Sequence, residues 1–234
     1  MDRLKGKVAM VVGAGSIGPG WGNGKATAVT FAREGAQVFC VDRNGTAAEE
    51  TAKIINDEGG KATAFTADVS RSAEIEAMVA ACLKAYGRID VLDNNVGIAE
   101  MGSVVEVTEE SWDRVFSVNL KSAYFAMKHV IPVMVEQGGG SIINISSIAS
   151  IRHMGISYVT YGTSKAAMNQ MTRTHRDRVR AASCARECDP ARPDEDPDGR
   201  AFRRPCRQLR QGRRRGDVAR ARCPGADGSH GRCL

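Results

Sequence analysis

The sequence predicts an α/β protein, a doubly wound parallel sheet with helices on both faces. Short apolar runs alternate with helix-length segments through the first 174 residues, which is the pattern of a parallel sheet covered on both sides. The apolar runs also lead into polar residues, at Gly13, Asp42, Asp68, Asn94-Asn95 and Ser146-Ser147. In such sheets ligands sit at the carboxyl ends of the strands, so these residues are expected to share one edge. A third observation bounds the domain: after Thr174 the hydrophobic pattern stops.

The elements follow in order. Residues 7–12 (Lys-Val-Ala-Met-Val-Val) read as a buried strand, and a glycine-rich turn occupies 13–24. Apolar Ala26, Val29 and Phe31 predict a helix over 25–34, closed by Gly35. Val38 to Val41 is a second strand, ending at Asp42, and a polar helix over 46–58 stops at Gly59-Gly60. Ala62 to Phe65 is a third strand, followed by a helix over 71–86 that stops at Gly87. Ile89 to Leu92 is the fourth strand, running into Asn94-Asn-Val-Gly97. A long helix covers 111–136 until Gly138-Gly-Gly140 breaks it, and Ser141 to Ile145 is the fifth strand. A helix carrying Tyr161 and Lys165 comes next.

At 234 residues and 42% hydrophobic, the chain fits one sizeable domain with its own core. The first apolar run, Val8 to Val12, is too short for a signal peptide or a membrane span, so a soluble cytoplasmic protein with no membrane partner is expected. The formal charge of +6 suggests nucleic acid only until it is located. Residues 1–174 hold 17 Lys and Arg against 18 acids, whereas the last sixty hold 16 Arg against 9. No nucleic-acid partner is therefore expected for the domain. Cys40 and Cys82 lie in apolar surroundings and read as buried free thiols.

The glycine turn points to a phosphate. Gly13-Ala-Gly15-Ser16-Ile-Gly18 matches G-x-G-x-x-G after a strand, but Pro19-Gly20-Trp21-Gly22 would break a helix begun there. Gly22-Asn23-Gly24 directly precedes the helical pattern, so the turn opens at Gly13 and closes at Gly24 with about five extra residues. Backbone N–H groups at the helix start can hold a pyrophosphate, with Gly13, Ser16, Asn23 and Gly24 as candidate contacts. Asp42 lies 18 residues past Gly24, where a carboxylate can bind the adenosine ribose. A carboxylate there repels a 2′-phosphate and favours NAD; Arg43 beside it leaves NADP possible.

Tyr161 and Lys165 are four apart, so on a helix both emerge from one face. An ammonium beside a phenol stabilises the phenolate, which makes Tyr161 a candidate proton donor or acceptor at neutral pH.

Taken together, the glycine turn, Asp42, Asp68-Val69, Asn94-Asn-Val-Gly97, Asn119, Ser147 and Tyr161-x-x-x-Lys165 resemble the short-chain dehydrogenase/reductase family. The resemblance covers residues 5 to about 174 and implies a Rossmann-type fold. It implies an NAD(P)-dependent oxidoreductase that moves hydride between a nicotinamide cofactor and a secondary alcohol or ketone. Tyr161 would be the acid/base, Lys165 would tune it and bind the nicotinamide ribose, and Ser147 would donate to the substrate oxygen. Asn119 would steady a water linking Lys165 to solvent. Asp68 and Val69 would meet the adenine, while Asn95 and Gly97 would pass the cofactor's ribose. Family members are usually dimers or tetramers packed through two long helices, which implies a homo-oligomer if that interface survives. Three departures stand out: the longer turn opening Val12-Gly13, Val96 where alanine is usual, and a 14-residue interval from Ser147 to Tyr161, one more than common. Tyr158, seven before Lys165, keeps an enoyl-reductase-like alternative open.

The tail is of another character. Residues 175–234 keep only Val179, Phe202, Leu209, Val218 and Leu234 as large apolar residues and contain no Lys, Ile, Met, Tyr or Trp. So little apolar surface cannot offset ordering entropy, so an Arg/Pro/Cys-rich segment outside the 1–174 domain is expected. The genetic code offers an origin. Shifted by one base, the codons of His175 to Arg180 can spell Thr-Ala-Ile-Glu-Tyr-Ala. Those of Cys184 to Asp196 can spell Val-Arg-Val-Asn-Ala-Ile-Leu-Pro-Gly-Leu-Met-Lys-Thr, which resembles the family's sixth strand and its Pro-Gly loop. The expectation is a frameshift near Thr174. If the frame as written is the translated one, a poorly soluble or catalytically impaired nucleotide-binding remnant is expected.

Overall fold

The computed structural model describes residues 2–187 and two short segments, 194–195 and 201–202, with side chains described through residue 174. The chain divides into two compact units, residues 1–189 and 190–234. The second contains an antiparallel pair, β6 (Asp194–Glu195) with β7 (Ala201–Phe202). Everything below belongs to the first.

Five strands form one parallel sheet: β1 (Val8–Val12), β2 (Gln37–Asp42), β3 (Lys61–Thr66), β4 (Val91–Asn94) and β5 (Ser141–Asn144), in the order β3-β2-β1-β4-β5. The chain reverses direction across the sheet between β1 and β4, and this switch point opens the crevice where ligands bind. The connecting helices are α1 (Asn23–Arg33), α2 (Gly45–Asp57), α3 (Ser72–Tyr86), α4 (Glu109–Phe116), α5 (Ser122–Glu136) and α6 (Val159–Glu187).

Strand alternation sorts the core into two layers. Met10, Phe39, Val41 and Leu92 face Ile75, Met78 and Cys82 of α3 and Met127, Val130 and Met134 of α5. Ala9, Val11, Val38 and Cys40 face Ala28 and Val29 of α1 and Ala52 and Ile55 of α2. Each fully buried large side chain contributes roughly 1.5–3 kcal/mol relative to exposure. Burial pushes the thiols of Cys40 and Cys82 up to about 12, so both are inert at neutral pH.

Most boundaries shift by a residue or two, and four differences from the sequence reading bear on the site. The fourth strand runs over 91–94 rather than 89–92, so Asp93 and Asn94 lie inside it. Strand five stops at Asn144, one residue early. The long helix is one helical stretch with a π-helical turn at Ser117–Lys121. The helix of Tyr161 and Lys165 continues to Glu187, thirteen residues past the expected domain boundary, because helical hydrogen bonds are satisfied locally whatever the apolar pattern. The expected character of the remaining tail falls largely outside the described residues.

Candidate active site

The glycine turn is pinned at both ends. Gly13, with φ +88°, donates from its N–H to the Val41 carbonyl at 2.8 Å. A Cβ there would meet Val96 at 3.0 Å, so the turn lies directly on the chain leaving β4. Helix α1 begins at Asn23 with Gly22 as its N-cap, as the Gly22-Asn23-Gly24 anchor requires. A Cβ on Gly24 would lie 1.7 Å from the Gly13 carbonyl oxygen, so only glycine permits this approach. Thr51 Oγ1 braces the turn from α2 by donating to the Ala14 carbonyl at 2.8 Å.

Asp42 closes the turn's near side. Its carboxylate accepts from the Gly15 N–H and the Asn44 N–H, both at 2.9 Å. A carboxylate has about four lone-pair sites, so acceptors remain for a ribose hydroxyl. The residues therefore fit a dinucleotide: a helix N-terminus with no side-chain cap, a turn that brings it against β1, and a carboxylate at the end of β2. Ser16 is half-buried and Asn23 exposed at this helix start.

Asp68 and Val69 lie just past β3. Asp68 accepts from the Ser70 N–H and hydroxyl at 3.0 and 2.8 Å, and these bonds hold its carboxyl below the usual range. The Val69 side chain packs into the core, which leaves only its backbone for an adenine. Asn95 turns its side chain to Asp93 Oδ2 at 3.1 Å. Asp93 is wholly buried with its other oxygen unpartnered, and burial raises its pKa.

Lys165 is the centre of the catalytic half. It is 2% exposed, and its Nζ donates to the Ile145 carbonyl at 2.7 Å and reaches the Val96 carbonyl at 3.5 Å. Two strand-end loops thus hold one ammonium, and burial lowers its pKa to about 8. Nζ stands 5.9 Å from the centre of the Tyr161 ring. Gly97 leaves the space for it, since a Cβ there would meet Nζ at 3.1 Å.

Asn119 sits in the π-helical turn, fully buried. Its side chain accepts from the Ile98 N–H at 2.8 Å, donates to the Ile98 carbonyl at 2.9 Å and donates to Ser164 Oγ at 3.1 Å. It therefore clamps the β4 loop to the catalytic helix. Ser147 caps a short 3-10 turn, Ile148–Ser150, accepting from the Ala149 N–H at 3.2 Å. That bond uses a lone pair and leaves its O–H to donate.

Three features were not read from the sequence. Ser164 joins the Tyr161 carbonyl to Asn119, and its place one before Lys165 was the available signal. Asn94, Asn144 and Thr172 form a side-chain chain at 2.8 and 2.9 Å that ties β4, β5 and α6 together. Lys25 is buried at the start of α1 and paired with Glu50 at 2.9 Å. Among the described residues no cluster of His, Cys, Asp and Glu could hold a metal ion, and no helix is long and apolar enough to cross a membrane.

Known proteins resemble this chain in sequence and fold. The short chain dehydrogenase family model matches residues 7–184. The 3-oxoacyl-[acyl-carrier-protein] reductase FabG of Thermotoga maritima is 38% identical over 172 residues, covering 74% of this chain and 68% of that protein. A putative short-chain dehydrogenase/reductase from Burkholderia xenovorans superposes with TM-score 0.76 at 44% identity, over 78% of this chain and 72% of that one. A metagenomic short-chain oxidoreductase solved with NADP superposes with TM-score 0.71 at 31% identity, over 76% and 79%. The chain spans 61 to 68% of the length of the FabG protein and three other curated relatives. With a matching family model over most of its length and the glycine turn, Asn119, Ser147, Tyr161 and Lys165 in place, the chain belongs to the short-chain dehydrogenase family.

Proposed function

We propose that the chain binds a nicotinamide dinucleotide and transfers hydride between it and a small secondary alcohol or ketone, with Tyr161 as acid/base. The observation that carries this is the burial of Lys165 between the Ile145 and Val96 carbonyls, one helical turn from Tyr161. A lysine is rarely so enclosed without a task, and a depressed lysine pKa beside a phenol is the arrangement that moves protons near neutral pH.

The cofactor, bound on Gly13, Ser16, Asn23, Gly24 and Asp42, supplies the hydride. Everything else falls to this chain's side chains. Ser147 donates its O–H to the substrate oxygen and fixes its position. Tyr161 gives that oxygen a proton in reduction and takes it in oxidation. Lys165 stands one helical turn from the phenol and bonds the nicotinamide ribose. Asn119 keeps the β4 loop, and with it the Val96 carbonyl and Gly97, registered to α6. Asp42 favours NAD over NADP. A homo-oligomer through the α4–α5 and α6 helices is consistent with the exposed Trp112 and Tyr124 on that surface. The tail remains assigned to a frameshift near Thr174, which the nucleotide sequence across codons 170–180 decides.

The test separates Tyr161 from its neighbour Tyr158, whose ring lies 6.0 Å away. Tyr161→Phe is expected to lower turnover at least about a hundredfold while keeping NADH affinity; Tyr158→Phe should change turnover only a few-fold. The reverse ranking would establish the enoyl-reductase-like alternative.

A further inference from the structure

The glycine turn has a part that the cradle does not use. Between its pinned ends, residues 17–21 leave the domain surface: Ile17 is fully exposed, Trp21 is 59% exposed, and a Cβ on Gly18 or Gly20 would touch nothing within 4 Å. Gly20 has φ +104°, a conformation suited to glycine. An isoleucine and an indole are thus held in water on a glycine-flanked excursion. Surface Trp and Ile are common singly, but here two large apolar side chains sit on the few extra residues of one turn.

The ends of the excursion say what it serves. Gly15 is tied to Asp42 by a 2.9 Å hydrogen bond, and a Cβ on Gly22 would lie 3.2 Å from the Gly15 carbonyl. The excursion therefore leaves and rejoins the chain at the phosphate cradle itself. Any dinucleotide on that cradle lies at the base of the excursion, with no helix or strand of the described residues interposed in the chain between them.

We propose that residues 17–21 form a flap over the bound dinucleotide, with Trp21 and Ile17 as the outer apolar wall of its pyrophosphate segment. The inference rests on the cofactor reading above. Covering the pyrophosphate removes water from the N–H···phosphate bonds, and those bonds are stronger at lower local dielectric. The indole face also gives a sugar or base a surface to pack on. Glycines at 18, 20 and 22 let the flap move without disturbing β1 or α1, whose contacts lie outside it.

The test uses the full-length chain with NADH as the probe. Trp21→Ala is expected to weaken NADH binding about tenfold, the scale of losing one stacked aromatic, and Trp21→Phe less than about threefold. The melting temperature of the free Trp21→Ala chain should stay unchanged, because the exposed ring holds nothing there. In Trp112→Phe, which leaves Trp21 as the sole indole, emission should be quenched on adding NADH. An unaltered NADH affinity in Trp21→Ala together with unquenched Trp21 emission overturns the proposal and leaves the cofactor reading intact. A matching loss of melting temperature overturns it too, by making Trp21 a packing residue. A loss of self-association in Trp21→Ala with unchanged NADH affinity assigns the ring to a subunit contact and also overturns it. Absence of NADH binding by the parent chain overturns the cofactor reading and the flap together.

Discussion

Strands β1 and β5 set the two halves of the site against each other. All five residues of β1 are buried, and it is paired on both sides. In β5 Ser141 is exposed and the other three are only half-buried, and among the described residues β5 is one of the two edges of the sheet. The proposed cofactor half starts from a strand that is buried throughout. In the proposed catalytic half Lys165 rests on the Val96 carbonyl and on the Ile145 carbonyl, which follows an edge strand. Binding and turnover should accordingly be separable, with binding the more robust.

The largest effect expected is on the cradle. Gly24→Val puts a side chain into the Gly13 carbonyl, which is itself fixed by the Gly13 bond to Val41. NADH affinity should fall more than about a hundredfold, with a stability loss of several kcal/mol. Retention of affinity, read by calorimetric titration, would mean that the turn is not the phosphate site.

Next comes the pH dependence of Lys165. Burial places it at about 8, against roughly 10.4 in an unfolded chain. Between those values the unfolded state holds more protons, so stability rises with pH across that window and is lowest below it. The 2.7 Å bond to the Ile145 carbonyl favours the charged form and trims the effect, to on the order of 1–2 kcal/mol. Lys165→Met should flatten the slope between pH 8 and 10, seen in urea melts of the two proteins. An equal slope in both would place the buried charge elsewhere.

The smallest effect concerns Asp93, whose pKa burial raises. Above that value the parent carries a buried carboxylate with one oxygen unpartnered. Asp93→Asn keeps an acceptor for Asn95 and should gain on the parent as pH rises above about 4, by about 1 kcal/mol at neutral pH. A constant difference at every pH would show that folding does not shift the ionisation of Asp93.

Much of this was legible beforehand, for reasons visible in single residues. The sequence pattern located ten elements because burial on both sheet faces leaves a continuous pattern, and Pro19 showed that helix α1 must start late. Asp93 was left outside the fourth strand because a carboxylate inside a central strand violates the rule that buried positions are apolar. Asn95 was assigned to the cofactor by likeness, yet its side chain serves Asp93, a contact no spacing reveals. The π-helical turn at Asn119 was invisible because it adds a residue per turn without changing composition. The continuation of α6 past Thr174 was missed because periodicity reports burial and helices need only local bonds.

The most direct test follows deuterium from nicotinamide-4-deuterated NADH to a panel of small ketones. The account predicts label on the carbinol carbon with the parent chain and its loss in Tyr161→Phe despite unchanged NADH binding. Undiminished transfer in Tyr161→Phe would contradict it, as would NADH binding by the parent with no label in any product.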